Sequence, residues 1–279
     1  MRFQVIGDPV LHSKSPVIHG AILAALGLDI PYAAHTVRRG ELPQYLAWAR
    51  DNGITGFNAT MPHKEDLIPL LDGVDPLAQS IGAVNTVCLR DGRWIGFNTD
   101  GGGAVAALRG SLGIDPGSMT VTLLGAGGAA KAVALALAQA GAERVWVCNR
   151  TMERAEALCA LDPSGRLTPA GFDGDALSRC AARSALLVNC TNLGMAGCPH
   201  QFSDFAFLDA LPNGAAVFDL IYHPAETELL AQARRRGLRA MNGLPMLVNQ
   251  AVLALEHFLD HPLDRKTMAE TAAAALKQN

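Results

Sequence analysis

The stretch Thr120-Val121-Thr122-Leu123-Leu124-Gly125-Ala126-Gly127-Gly128-Ala129-Ala130-Lys131 decides the fold class. A β-branched apolar run stops at a glycine-rich turn, an alanine-rich helical pattern runs from Lys131 to Ala140, and Val145-Trp146-Val147-Cys148 supplies the next strand. That order is a βαβ unit with G-x-G-x-x-G/A on its first turn, a placement that gives the pattern weight it lacks alone. Gly125 makes the turn, Gly127 lets backbone approach a pyrophosphate, and Ala130 takes the third position, where a small residue lets helix and strand pack closely. Gly125, Ala126, Gly127, Gly128 and Ala129 are therefore the expected phosphate cradle. The N–H groups and positive dipole end of the helix N-terminus face the anion.

About 20 residues past such a turn, an Asp or Glu would bind an unmodified ribose 2′-hydroxyl. Here the strand ends in Asn149-Arg150-Thr151, with Arg154 one helical turn later. Two guanidinium groups and a hydroxyl suit a 2′-phosphate through charge-assisted hydrogen bonds. The predicted cofactor is NADP(H) rather than NAD(H), held by Asn149, Arg150, Thr151 and Arg154.

Outward from this unit the chain keeps α/β grammar. Upstream, Phe3–Gly7, residues 32–37 and residues 55–58 read as strands, separated by helical patterns over 16–26 and 41–52. Asp91-Gly92 between 84–89 and 94–97 signals a hairpin. Gly101-Gly102-Gly103 opens a helix that ends before Asp115-Pro116-Gly117, and downstream strands fall at 185–188 and 216–219. The last helices, near 245–260 and 264–277, carry an apolar face (Leu247, Val248, Ala251, Leu255, Phe258) that needs a partner. We expect the chain to cross back and lay this face on the first unit. The predicted domains are residues 1–100 with 243–279, and residues 101–242 as the dinucleotide-binding domain.

Composition removes other classes. With 279 residues, 49% of them hydrophobic, the chain can bury a large core. Its 23 Lys+Arg against 26 Asp+Glu leave no electrostatic footprint for nucleic acid. The dense basic run, Arg234-Arg235-Arg236, reads as an exposed helix end where cations suit the dipole. Lys131 and Gln139 interrupt the longest apolar stretch, short of the roughly 18 residues of a membrane span. Six cysteines without a C-x-x-C pair point to reduced thiols in a cytoplasm. His257 and His261 share a helix face, but Phe258 stands where a zinc hydrolase would carry Glu, so no metal is expected.

The first hundred residues hold four clusters of polar residues at strand ends and turns. His12-Ser13-Lys14-Ser15-Pro16 places two hydroxyls before a helix with proline at its first position. Ser15 there is either an N-cap or, with Ser13 and the helix dipole, an anion holder. Asn58-Ala59-Thr60-Met61-Pro62-His63-Lys64, Gly82-Ala83-Val84-Asn85-Thr86 and Gly96-Phe97-Asn98-Thr99-Asp100 complete the set.

With these motifs the chain resembles the shikimate/quinate dehydrogenase family over nearly its full length. The match also includes Asp219-Leu220-Ile221-Tyr222 and Met246-Leu247-Val248-Asn249-Gln250-Ala251. The resemblance implies an N-terminal α/β substrate domain with a mostly parallel sheet, a Rossmann NADP domain, and an active site between them. It implies Lys64 and Asp100 as the catalytic pair and Ser13 and Ser15 as carboxylate ligands. Asn58, Thr60, Asn85, Tyr222 and Gln250 become substrate ligands, and Gly243 joins the cofactor site. The implied activity is reversible NADP-dependent reduction of 3-dehydroshikimate to shikimate in aromatic amino acid biosynthesis, by a monomer or homodimer acting on a hydroxylated cyclohexene carboxylate. Gly20, Ala59, Cys190, Asn192 and Pro245 depart from the family pattern, and paralogues of the family prefer quinate or aminoshikimate. A cofactor-binding sensor is the reading from another class, which Lys64 and Asp100 oppose because a pure binder needs neither.

Overall fold

The computed structural model describes residues 1–278. The chain forms two compact units, Met1–Gly103 with the chain from Val248 onward, and Ala104–Leu247.

In the first unit β1 (Phe3–Gly7), α1 (Ser15–Ala25), β2 (Tyr32–Thr36), α2 (Leu42–Asp51) and β3 (Gly56–Ala59) alternate, followed by β4 (Gly73–Val74), α3 (Pro76–Ile81), β5 (Thr86–Arg90) and β6 (Arg93–Phe97). The sheet order is β2-β1-β3-β5-β6-β4. β2, β1 and β3 pair in parallel, as do β4 and β6, whereas β3–β5 and β5–β6 are antiparallel. The hairpin follows from its turn: Asp91 and Gly92 both have positive φ, 48° and 74°, which matches the twist of the flanking strands. Around the sheet, Ile6, Phe57, Val87 and Trp94 close a core with Leu42 and Leu46 of α2.

After α4 (Asp100–Ser111), the second unit is a parallel sheet with order β12-β11-β10-β7-β8-β9. It contains β7 (Thr120–Leu124), α5 (Gly128–Gln139), β8 (Arg144–Cys148), α6 (Met152–Cys159), β9 (Leu167–Ala170), α7 (Gly174–Ala181), β10 (Leu186–Asn189), β11 (Ala216–Asp219), α8 (Glu228–Arg235) and β12 (Arg239–Met241). Chain order reverses between β7 and β10, so the glycine-rich turn after β7 lies at the switch point where open α/β sheets bind ligands. β9 has Pro169 in its middle, which an edge strand tolerates because its outward N–H needs no partner.

α9 (Leu244–Leu259) and α10 (Arg265–Gln278) follow. Phe258 stacks on Phe3 at 4.7 Å between centroids, and α10 runs against α1. The glycine run at the start of α4 has a packing cause: a Cβ on Gly103 would lie 2.7 Å from the Gln250 nitrogen. Only glycine lets α4 approach the α9 backbone this closely, and that approach fixes where Gln250 projects.

His19 of α1 is fully buried, stacked on Tyr32 at 4.0 Å and 12°. Its Nδ1–H donates to the Ser15 carbonyl at 2.9 Å. Burial lowers its pKa from 6.5 to about 4, against a smaller opposing pull from that carbonyl. An unfolded chain therefore binds one more proton than the folded one between about pH 6.5 and 4, and stability falls as pH drops through that window. At roughly 1.4 kcal/mol per pH unit, His19 removes about 2 kcal/mol between pH 7 and 5. We expect His19→Gln, whatever its absolute stability, to lose correspondingly less over that interval in denaturant unfolding.

Candidate active site

Lys64 follows the turn after β3. His63 N donates to Thr60 O at 3.0 Å, and the buried His63 ring donates through Nε2 to Val37 O at 2.7 Å, pinning the turn to the end of β2. Val84 N bonds Lys64 O at 2.7 Å, so the lysine backbone is held from two sides. Lys64 Nζ lies 2.6 Å from Asp100 Oδ2, with the lysine side chain 29% exposed and the aspartate 9%. Asp100 opens α4, where the positive end of the helix dipole favours a carboxylate. Its other oxygen accepts from Asn85 Nδ2 at 2.7 Å.

Asn85 is saturated. Its Oδ1 accepts from Thr99 N and from the Thr86 hydroxyl, both at 2.9 Å, and its Nδ2 also reaches Thr99 Oγ1 at 3.0 Å and Gln250 Oε1 at 3.5 Å. Asn58 is engaged in the same way: Oδ1 accepts from the Tyr32 hydroxyl at 2.8 Å, and Nδ2 donates to Asn85 O at 3.2 Å and Thr86 Oγ1 at 3.1 Å. Five of the residues singled out in the sequence, Asn58, Lys64, Asn85, Asp100 and Gln250, therefore share one network. Thr86, Thr99 and Tyr32 belong to it too, and the sequence reading gave them no role. Thr86 and Thr99 stand inside the quoted motifs, so their hydroxyls were a signal in plain view. Tyr32 begins an ordinary strand.

The Ser13 hydroxyl accepts from Ser15 N at 3.2 Å, and α1 begins at Ser15 with Lys14 in the cap position. Ser15 is thus not the N-cap, because the bend at Lys14 already places it in the first turn. Its neighbour Tyr32 has its hydroxyl pKa pushed up by burial, with a smaller opposing influence from Ser15. The Thr60 hydroxyl takes part in none of these bonds and is half-buried.

In the second unit, Gly125 has φ +105° and bonds Cys148 O at 2.8 Å, tying the turn to β8. Gly127 caps α5, and a Cβ there would meet nothing within 4 Å, so open space lies before the helix N-terminus. Ala126, Gly128 and Ala129 are half-buried beside it. Asn149 Nδ2 holds Thr151 O at 2.9 Å, and Thr151 caps α6 without a side-chain bond. Arg150 and Arg154 are exposed and, among the described residues, form no side-chain hydrogen bond or ion pair. Beside Arg150 opens a cavity of about 520 Å³, lined among others by Asn149, Phe172, Leu193, Phe202 and Phe207. A glycine turn, a free helix start and two unpaired guanidinium groups fit a phosphorylated dinucleotide.

Asp219 ends β11 fully buried, accepting from Thr227 Oγ1 (2.6 Å), Asn189 Nδ2 (2.9 Å) and Ile221 N (3.1 Å). Desolvation raises its pKa against those three bonds. The carboxylate shapes the loop that carries Tyr222, which is 38% exposed. Gly243 is buried flush against the Leu220 carbonyl, which a Cβ would meet at 1.9 Å, so packing alone demands glycine there. The His257 ring is stacked on Phe97 at 4.0 Å, and among the described residues no group of three His, Cys, Asp or Glu is placed to hold a metal. No described helix is long and apolar enough to cross a membrane.

Residues 5–87 match the profile of the shikimate dehydrogenase substrate binding domain, and residues 112–191 that of shikimate / quinate 5-dehydrogenase. The shikimate dehydrogenase (NADP(+)) of Methylobacterium radiotolerans is 46% identical over 259 residues, covering 91% of this chain and 90% of that protein. That of Symbiobacterium thermophilum is 41% identical, covering 98% and 94%. The crystal structure of shikimate 5-dehydrogenase from Thermus thermophilus in complex with NADP(H) and shikimate superposes with a TM-score of 0.83 at 40% identity, covering 99% of both chains.

The network makes Asn85 a sensitive position. Asn85→Ala leaves buried Thr86 and Thr99 groups without their acceptor, and we expect a loss of about 1–3 kcal/mol in denaturant unfolding. Asn85→Asp adds a carboxylate against Asp100. Its cost should exceed that of Asn85→Ala, because it sets like charges against each other in a buried site.

Proposed function

The chain belongs to the shikimate/quinate dehydrogenase family, and on that premise we propose that it catalyses the reversible NADP-dependent reduction of 3-dehydroshikimate to shikimate in aromatic amino acid biosynthesis. The observation that carries the reading is the Lys64–Asp100 pair at 2.6 Å. Reducing a ring ketone builds negative charge on its oxygen, and Lys64 is the positioned ammonium that offsets the charge and delivers the proton. In the oxidation direction the same nitrogen takes the hydroxyl proton. Asp100 orients Lys64, and Asn85 orients Asp100.

NADPH, when bound, supplies the hydride. Gly125, Ala126, Gly127, Gly128 and Ala129 with the α5 N-terminus would hold its pyrophosphate, and Asn149, Arg150, Thr151 and Arg154 its 2′-phosphate, with Gly243 shaping the same site. Ser13 and Ser15 would take the substrate carboxylate, and Thr60, Tyr222 and Gln250 its hydroxyls, with Asn58 and Asn85 reaching a hydroxyl only in exchange for one of their present bonds. Because Asn85 Nδ2 has two N–H groups and three acceptors, the 3.5 Å contact to Gln250 Oε1 is the weakest of the three. A ring hydroxyl donating to Gln250 Oε1 therefore displaces little. The six free thiols suit a reducing cytoplasm, and we take the working form to be a monomer or homodimer.

The test is absorbance of the reduced nicotinamide with shikimate, quinate and aminoshikimate, each with NADP+ and NAD+. We expect shikimate with NADP+ to be fastest. A faster quinate or aminoshikimate reaction assigns a paralogue activity, and flat traces with NADPH still bound assign a sensor. Lys64→Ala should lower turnover by roughly 10²–10⁴ with little change in substrate binding; a small loss would move the proton to another group.

A further inference from the structure

A guanidinium that receives a phosphate needs its N–H edges free and a neighbour that limits where it points. Arg150 has free edges and an aromatic ring beside it. Its side chain makes no hydrogen bond or ion pair among the described residues, and Cζ sits 5.8 Å from the centroid of the Phe172 ring. Stacking on a ring uses the face of the guanidinium and leaves its five in-plane donors for oxygen. Phe172 is itself backed: Phe202 lies nearly parallel to it, 6.3 Å away at 15°, and meets Phe205 at 5.6 Å and Phe207 at 5.8 Å. Phe207 is part of the buried core with Leu177, Leu229 and Leu230. A row of rings thus runs from the core to Arg150. The carboxylates in the same cavity wall are turned to backbone donors, Asp173 to Ala176 N at 2.9 Å and Asp204 to Ala206 N at 3.0 Å.

We propose that Phe172 is a positioning residue for cofactor selection, holding the Arg150 guanidinium by its face so that its edge is presented to the 2′-phosphate of NADP. The proposal rests on the NADP reading above and adds a residue that contributes to discrimination without itself binding the phosphate. The nature of the contact separates it from simple packing. Leucine keeps the apolar volume but lacks the π face, whereas tryptophan offers the strongest face of the aromatic residues.

The experiment is calorimetric titration of the full chain with adenosine 2′,5′-bisphosphate and with adenosine 5′-monophosphate, which differ only in the 2′-phosphate. Wild type should bind the bisphosphate more tightly. Phe172→Leu should weaken the bisphosphate about two- to fivefold, the range of one partly exposed cation–π contact, and leave the monophosphate unchanged; Phe172→Trp should retain the preference. The ratio of the two affinities is insensitive to any unfolded fraction of a variant. An unchanged ratio in Phe172→Leu, whether both affinities fall or neither does, overturns the proposal alone. Equal affinity of wild type for the two nucleotides overturns it together with the NADP reading.

Discussion

The contact between Lys64 and Asp100 is an ion pair with one partner nearly removed from water, and that burial sets a condition on everything behind it. A buried carboxylate is tolerated only when both oxygens are satisfied. Lys64 satisfies one and Asn85 the other. Asn85 can do so only if its own carbonyl oxygen is engaged and its amide plane is fixed, which Thr86 and Thr99 accomplish. Thr86 in turn accepts from Asn58, and Asn58 accepts from Tyr32. One chain of hydrogen bonds therefore links Tyr32, at the start of β2, to the ammonium proposed for proton transfer. A fully satisfied network of this kind rigidifies, and a partly satisfied one destabilises.

The same condition reaches the C-terminal helices. Gln250 meets Thr99 and Asn85 only because α9 lies against the start of α4, and Gly103 permits that approach. Phe258, two turns further along α9, anchors the helix on Phe3 of the first strand. Residues at opposite ends of the chain are thus brought together by aromatic packing at one point and the absence of a side chain at another. The proposed substrate site uses Gln250, and the packing needs Gly103 and Phe258.

How much of this could be read in the sequence depended on whether a residue announces itself locally. The βαβ unit and the Asp91-Gly92 hairpin were legible because strand, turn and helix patterns change abruptly at glycines. α3, α7, β4, β9 and β12 were not, since they are short, and β9 carries a proline that argues against a strand unless its edge position is known. Lys64, Asp100, Ser13 and Gln250 stood out by chemistry and by the family resemblance. Asn58 and Asn85 also stood out, yet the sequence could not show that their amides are spent within the protein, on Tyr32, Thr86, Thr99 and Asp100. Tyr32 and His19 look like ordinary members of an apolar strand and helix, and only the fold stacks them. Phe172 and Phe202 are 30 positions apart in sequence, and their alignment depends on loops with no regular pattern.

Charge gives the last contrast. The densest basic run, Arg234-Arg235-Arg236, is fully paired, with Glu226, Glu228 and Asp209 respectively. Such surface pairs contribute little stability, but they leave no net cation for an incoming anion. Arg150 and Arg154 lie in a less basic stretch and have no carboxylate partner among the described residues, one of them resting on an aromatic ring. Density of charge in the sequence therefore points away from the proposed anion site, and pairing in three dimensions points towards it. A guanidinium stacked on a ring keeps its in-plane donors available in a way that an ion-paired one does not, so phosphate recognition depends on which cations the fold leaves uncompensated rather than on how many the sequence contains.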